Sequence, residues 1–240
     1  MGSTIFSLWI GRRLSLLERL CAKSFLANGH DLEVYAYGPI EGMPDGVSIL
    51  PAADILPESL IGSYTLRDGE FMGMVSPFSD LFRLKALLER GGTWVDLDIV
   101  CLAPFDFPGT HTLSSERQKD GRTKVTNSVM RTPAGDAFVA KFLERAMRID
   151  PQTIWHQELG SNLIPPLLEA FALEGSVESP NRFCPIDWWE WSRPLTERFE
   201  LPSAARGLHL WNSFWVANGA DKDQLYPETT LYGTLQRRYL

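Results

Sequence analysis

Asp96 and Asp98 stand one residue apart in the stretch Gly91-Gly92-Thr93-Trp94-Val95-Asp96-Leu97-Asp98-Ile99-Val100. Trp94 and Val95 are β-favouring residues on the way in, and Ile99-Val100-Cys101-Leu102 is an apolar run on the way out. The two carboxylates therefore interrupt an otherwise continuous buried segment. A carboxylate there must be hydrogen-bonded, paired or bound to a cation, because burying it alone is costly. One of the two can ligate a metal while the other reaches past it. The simplest ligand set uniting these features is a divalent cation carrying a nucleotide diphosphate, since hard Mg²⁺ or Mn²⁺ prefers carboxylate and phosphate oxygens. A β-turn in which both aspartates cap backbone amides is the alternative.

Asp80 and Arg83 lie three residues apart, a spacing that puts them on one face of a helical turn. There they would hydrogen-bond the hydroxyls of a sugar, with Arg83 near enough to neutralise phosphate charge. The alternative is a surface ion pair worth about 0.2–0.5 kcal/mol.

Several elements must position these groups. Thr4 to Ile10 reads as a buried strand, Leu14 to Asn28 as an amphipathic helix closed by Gly29, and Leu32 to Tyr37 as a second strand stopped by Gly38-Pro39. That order predicts a βαβ unit and a parallel sheet. Val47 to Leu50 is a short strand, followed by a Gly-, Ser- and Asp-containing loop to Ser76. Ser79 is the expected N-cap of a helix carrying Leu81, Leu84 and Leu88, ended by Gly91. Beyond the aspartates, Lys124 to Arg131 has strand character, while Ala134 to Ile149 and Ser161 to Leu173 read as helices. The aromatic run from Phe183 to Trp191 is expected to pack, although tryptophans at a cleft also stack on sugar faces.

With Ser79-Asp80-x-x-Arg83 followed by Gly91-Gly92-x-Trp94-x-Asp96-x-Asp98, the chain resembles the glycosyltransferases with a DxD sugar-binding region. That group includes capsular polysaccharide transferases and, more distantly, the clostridial glucosylating toxins. Leu8-Trp9-Ile10-Gly11 and His209-Leu210-Trp211-Asn212 match at corresponding places, so the resemblance spans nearly the whole chain.

The resemblance implies a GT-A-like α/β fold, a Rossmann-type sheet with flanking helices, in one catalytic domain over residues 1–240. It implies that Trp9 stacks on the nucleotide base, with a core tryptophan as the alternative, and that Ser79, Asp80, Arg83, Trp94 and Asp96 bind the donor. Trp94 is equally placed for a strand core. Asp98 is the expected metal ligand, with Asp96 touching the cation through water or holding the donor ribose and sugar. His209 is the candidate third ligand, against a satisfied core histidine, and Asn212 would add a carbonyl oxygen. Asp80, Arg83 and Asp96 form the expected catalytic group. His30, His111 and His156 receive no role. In the related motifs Tyr commonly stands where this chain has Trp94.

A net charge of −7 and a pI near 5.2 argue against nucleic acid or an anionic membrane surface as partner. Three widely spaced cysteines suggest neither a disulfide framework nor a zinc site, and fit a reducing cytoplasm. Leu14 to Phe25 is broken by Glu18, Arg19 and Lys23, so no export signal or membrane span is expected there.

The function expected is metal-dependent transfer of a hexose from a nucleotide diphosphate sugar, UDP preferred by analogy, to an acceptor hydroxyl, with retention implied by the resemblance. Mn²⁺ or Mg²⁺ is the expected cofactor, and the acceptor would be a glycan, a lipid-linked oligosaccharide, a small molecule or a protein side chain. Surface polysaccharide biosynthesis is one setting for such a reaction. Two rivals are a non-catalytic sugar-nucleotide or glycan-binding protein of the same fold and a phosphohydrolase, which would need a second carboxylate cluster.

Overall fold

Adjacent residues of the strands divide the interior into two layers. Phe6, Trp94 and Met130 pack into one cluster with Phe78, Phe82 and Phe138. Their neighbours Ile5, Val95 and Val129 pack into another with Phe25, Val34 and Phe183. This period-two alternation is the pattern of a sheet buried on both faces. The computed structural model describes residues 5–67, 69–107 and 109–240.

In chain order the elements are β1 (Ile5–Leu8), α1 (Leu16–Ala27), β2 (Leu32–Ala36), β3 (Ser48–Pro51), α2 (Ser76–Arg90), β4 (Gly92–Val95), β5 (Ile99–Cys101), β6 (Thr112–Arg117) and β7 (Thr123–Thr132). They continue as α3 (Ala137–Ala146), α4 (Pro165–Phe171), α5 (Pro180–Phe183), α6 (Arg193–Thr196), β8 (Gly207–His209), α7 (Asn212–Ala217) and α8 (Leu231–Tyr239). Six strands form one sheet in the order β3-β2-β1-β4-β7-β6, and β5 pairs with β8 in a separate two-stranded sheet. The arrangement is the mixed α/β sheet with flanking helices that the sequence predicts.

The expected parallel pairing holds across β3, β2, β1 and β4. It stops there: β7 runs antiparallel to β4, and β6 antiparallel to β7. The strand order reverses direction from β1, with β2 on one side and β4 on the other. Their C-terminal ends are the edge at which open α/β sheets bind ligands.

Several boundaries differ from the sequence expectation. The first strand is shorter, and Thr4 lies outside the described residues. Ser79 is not the N-cap of α2. The helix starts at Ser76 with Pro77 in its first turn and Val75 before it, because proline's fixed φ suits the opening position. Ser79 thus sits one turn inside, its N–H bonded to the Val75 carbonyl. Asp136 caps α3 by accepting from the Val139 N–H, which trims that helix at its start. The helix expected over 161–173 is divided into a single turn at Ser161–Leu163 and α4, with the proline pair Pro165-Pro166 opening the second piece. The strands β6 and β8 and the helix α8 were not anticipated from local pattern.

Candidate functional site

The turn from α2 into β4 uses two glycines with positive φ, Gly91 at 63° and Gly92 at 103°. A Cβ on Gly91 would also run into the backbone nitrogen of Ala134. Only glycine lets the chain reverse this tightly. β4 then carries Trp94 into the core at 1% exposure and delivers Asp96 to the edge of the sheet.

Here the extended backbone ends. The Asp96 N–H bonds to the Ser128 carbonyl on β7, and the Ile99 N–H turns back to the Asp96 carbonyl at 3.1 Å. Leu97 and Asp98 therefore occupy a turn. A turn was the alternative geometry for the pair, and Asp98 does accept one backbone amide, yet ligand atoms of Asp96, Asp98 and His209 all lie within 4.8 Å of one another.

His209 reaches this point through β8. Ile99 of β5 pairs with His209, and the Leu210 N–H bonds to the Asp98 carbonyl at 3.0 Å. The His209 Nε2 lies 3.3 Å from Asp98 Oδ2, and its Nδ1 faces Cys184 Sγ at 3.8 Å. Trp211 packs against the imidazole with ring centres 3.9 Å apart and planes tilted by 30°, and has a backbone φ of 58°, a strained conformation of the kind that collects at functional sites. The Asn212 backbone N–H donates to Asp98 Oδ2 at 2.8 Å, while its side-chain Oδ1 accepts from Lys222 Nζ at 3.0 Å. Asn212 thus meets the aspartate through its backbone, and its side-chain oxygen is engaged with a lysine.

Charge follows from this geometry. Burial works to raise the Asp98 carboxyl, but the His209 charge and the hydrogen bonds from His209 and Asn212 outweigh it and hold the pKa below the ordinary value. Burial alone would depress His209; Asp98 raises it well above the ordinary histidine range. Asp96 goes the other way. Burial pushes it up to about 6, against the pull of Arg83 and with the repulsion of Asp98 added.

Asp80 and Arg83 do share one turn of α2, but they are not a surface pair: they are 7% and 5% exposed, which removes the screening that makes such pairs weak. Arg83 Nη1 lies 3.0 Å from Asp96 Oδ1 and donates to the Asn127 carbonyl at 2.6 Å. Nη2 lies 3.4 Å from Asp80 Oδ1 and donates to Ser79 Oγ at 3.2 Å. Its guanidinium stands 4.9 Å over the Trp94 ring. Arg83 is accordingly committed to protein groups on nearly every side. Asn127, on β7, donates to Asp80 Oδ1 at 2.9 Å.

Trp94 takes the strand-core position, with Phe6 edge-on at 5.9 Å. Besides carrying Arg83 over its ring, it meets the site through its Nε1–H, which donates to Asp96 Oδ1 at 2.9 Å. Trp9 is half-buried at the end of β1, and Lys222 Nζ stands 5.8 Å from its ring centre. Lys222 in turn donates to the buried Glu18 of α1 at 2.6 Å.

All these groups border one cleft of about 840 Å³, near the upper end of the roughly 300–1,000 Å³ typical of small-molecule sites. Trp9, Ser79, Asp80, Arg83, Trp94, Asp96, Asp98, His209 and Asn212 all line it. So do residues the sequence reading passed over. Glu116, Asn127 and Lys222 belong to no motif; His156, given no role, packs at 4.5 Å on Phe71 at the same cleft. Of the aromatic run, Phe183, Cys184 and Ile186 are buried as expected, whereas Trp188 is partly exposed and lines the cleft. The polar pairing Thr126-Asn127 within a strand was the one local signal that could have drawn notice.

No family model and no curated protein matches the chain. Solved structures do. The chain is similar to the PaToxG glycosyltransferase, at 17% identity over 73% of this chain and 72% of that one, with a TM-score of 0.54. It is also aligned with the UDP-bound glycosyltransferase domain of the YGT toxin, at 10% identity over 97% of this chain and 81% of that one, with a TM-score of 0.43. At 17% identity the first likeness is one of fold: the GT-A-like α/β arrangement is shared with a glycosyltransferase.

Proposed function

We propose that residues 1–240 act as one glycosyltransferase domain that moves a hexose from a nucleotide diphosphate sugar to an acceptor hydroxyl, with a divalent cation. The observation that carries this reading is the convergence of Asp96, Asp98 and His209 within 4.8 Å at the sheet edge where α/β folds bind ligands. Two carboxylates fit Mg²⁺ or Mn²⁺, and the imidazole favours Mn²⁺ of the two. Asp96, Asp98 and His209 would hold the ion, with Asn212 positioning Asp98 through its N–H. When bound, the cation supplies charge neutralisation for the departing diphosphate.

The chain's own groups do the rest. Trp9 offers a flat face for the base, a uridine for preference, and Lys222 beside it brings positive charge to the phosphate end. Asp80 and Asp96 accept hydrogen bonds from the hexose hydroxyls. Arg83 fixes both carboxylates and lends its charge to the cleft floor, with Ser79 and Asn127 holding the guanidinium in turn. Trp94 keeps Asp96 aimed into the cleft. The acceptor oxygen bonds to the anomeric carbon as the bond from that carbon to the diphosphate breaks. The electron pair leaves with the diphosphate and the hydroxyl proton follows it, a front-face path that retains configuration and needs no covalent nucleophile.

Among the described residues Asp96, Asp98 and His209 are the one group of three or more His, Cys, Asp or Glu that could hold a metal, whereas a two-metal phosphohydrolase would need a second cluster. No helix among them is long and apolar enough to cross a membrane.

Isothermal titration of UDP and GDP with and without Mn²⁺, repeated on Asp98→Ala, tests the reading. Cation-dependent binding that disappears in the variant supports it and selects the base. Binding indifferent to both cation and substitution refutes it, and binding without any turnover of UDP-sugars would identify a non-catalytic binder.

A further inference from the structure

The cleft has a wall that neither the donor nor the cation residues use. Glu116 at the end of β6 and Gln118 just beyond it line the cleft, as does Trp188. Glu116 is 5% exposed, yet no described lysine, arginine or histidine pairs with it at salt-bridge distance. Its Oε1 accepts from Gln118 Nε2 at 3.0 Å, and its Oε2 takes no hydrogen bond from the described residues. Burial raises the pKa of this carboxyl against the weaker pull of Gln118, His209 and Lys124. Its uncommitted oxygen can accept from a donor that enters the cleft it lines.

The aromatic side of this wall is fastened to the same strand. Arg117 donates to Asp187 Oδ1 at 3.1 Å and to Asn181 Oδ1 at 2.6 Å, and Lys119 Nζ stands 4.9 Å over the Trp188 ring. Trp188 stacks on Phe214 with ring centres 5.7 Å apart and planes 17° from parallel. Phe214 meets Phe71 edge-on at 5.3 Å, and both line the cleft. A carboxylate and an amide therefore border the same cleft as a flat aromatic surface. Hydroxyls around an apolar ring face need that combination: polar acceptors at the edge and an aromatic plane beneath.

We propose that the acceptor is itself a carbohydrate, a hexopyranose lying against Trp188 and Phe214 with its hydroxyls donating to Glu116 and exchanging hydrogen bonds with Gln118. The inference rests on the transferase reading above. It assigns Trp9 and Lys222 to the donor end of the cleft and the β6 wall to the acceptor end. A free glycan and a lipid-linked one would present the same ring here.

Saturation-transfer NMR with methyl hexopyranosides and the matching octyl hexopyranosides, on the full chain with UDP and Mn²⁺ present, tests it. The expected result is millimolar or tighter binding of at least one hexose configuration, weakened about tenfold or more in Glu116→Gln and in Trp188→Ala. Glu116→Gln is isosteric and keeps the test valid should Trp188→Ala fold poorly. Equal binding of methyl and octyl forms identifies a free glycan, and a strong octyl preference a lipid-linked one; either supports the sugar site. No hexopyranoside binding, binding unchanged by both substitutions, or transfer to hydroxyl-bearing peptides alone would overturn it. Titration of UDP with Mn²⁺ into the same wild-type sample reads the donor site separately. Hexoside binding without UDP binding sinks the transferase reading, and UDP binding without hexoside binding sinks this one.

Discussion

The indole Nε1–H of Trp94, a residue 1% exposed in the core, donates to Asp96 Oδ1 at 2.9 Å at the cleft floor. A packing residue thereby sets the direction of a site carboxylate, since the ring cannot turn without disturbing Phe6 and Phe82. Asp96 is held from two directions, by this indole and by Arg83 at 3.0 Å.

Trp94→Phe keeps most of the ring packing and deletes the hydrogen bond. It should destabilise the fold by about 1–3 kcal/mol, the range for a bond to a charged acceptor plus lost volume, and reduce donor turnover. Urea unfolding together with UDP-sugar hydrolysis rates would check this. Unchanged turnover would remove the positioning role.

Arg83→Ala leaves the buried Asp80 and the half-buried Asp96 without their shared partner. Breaking a buried pair from one side costs about 3–5 kcal/mol, so thermal and urea stability should fall by that order. Adding Asp80→Asn to the variant should recover part of the loss. If the double variant is no more stable than the single one, the charge argument is wrong.

Burial raises the Asp80 carboxyl despite Arg83 and Asn127. The native state then holds this proton more tightly than the unfolded chain does. Its contribution to stability is fully present below the unfolded pKa of about 3.9 and is lost as pH rises through the folded value. Asn at this position does not titrate. The stability of Asp80→Asn relative to wild type should therefore increase as pH climbs through that window, then level off. A difference that stays flat or falls in urea titrations across the range would contradict the raised pKa.

A Cβ on Gly160 would lie 2.7 Å from Asp80 Oδ2 and 3.0 Å from Asn127 Nδ2. Gly160→Ala should push this pair apart and impair donor turnover more than it impairs folding, because both contacts are side-chain ends that can give way. Comparing the melting temperature with the kcat of donor hydrolysis separates the two effects. A large stability loss at normal kcat would refute it.

Mn²⁺ alone should stabilise the protein by mass action, by about 2.7 kcal/mol at a hundred times its dissociation constant. His209→Ala should shrink that shift strongly by removing one ligand. Differential scanning fluorimetry with Mn²⁺ and no nucleotide reads it directly, and a shift of full size in the variant would exclude His209 as a ligand.

Local chemistry was enough for the elements around the aspartates. The apolar stripe of α1, the glycine stop after α2 at Gly91 and the β-favouring entry at Trp94 each depend on neighbours within a few residues, so they were legible. Ser79 has the residue type of a cap but does not cap, because Ser and Pro compete for the same few opening positions and Pro77 occupies one. The antiparallel β7 was recognisable as a strand but not in its direction, since strand direction leaves no mark on local periodicity.

By itself the sequence determined an α/β chain with two carboxylates where a buried strand ends and an Asp-Arg pair one helix upstream. The family resemblance drew His209 and Asn212 toward Asp98, but the tertiary structure alone decided that Asn212 meets it through its backbone N–H, and that His209 arrives on a β8 of only three residues, too short to show a period. It alone placed Asn127 on Asp80, Lys222 beside Trp9, and Glu116 and Trp188 on one cleft. The reason is physical: hydrophobic periodicity records which face of an element is buried, whereas the partners of a buried charge are chosen by long-range packing, which no local spacing encodes.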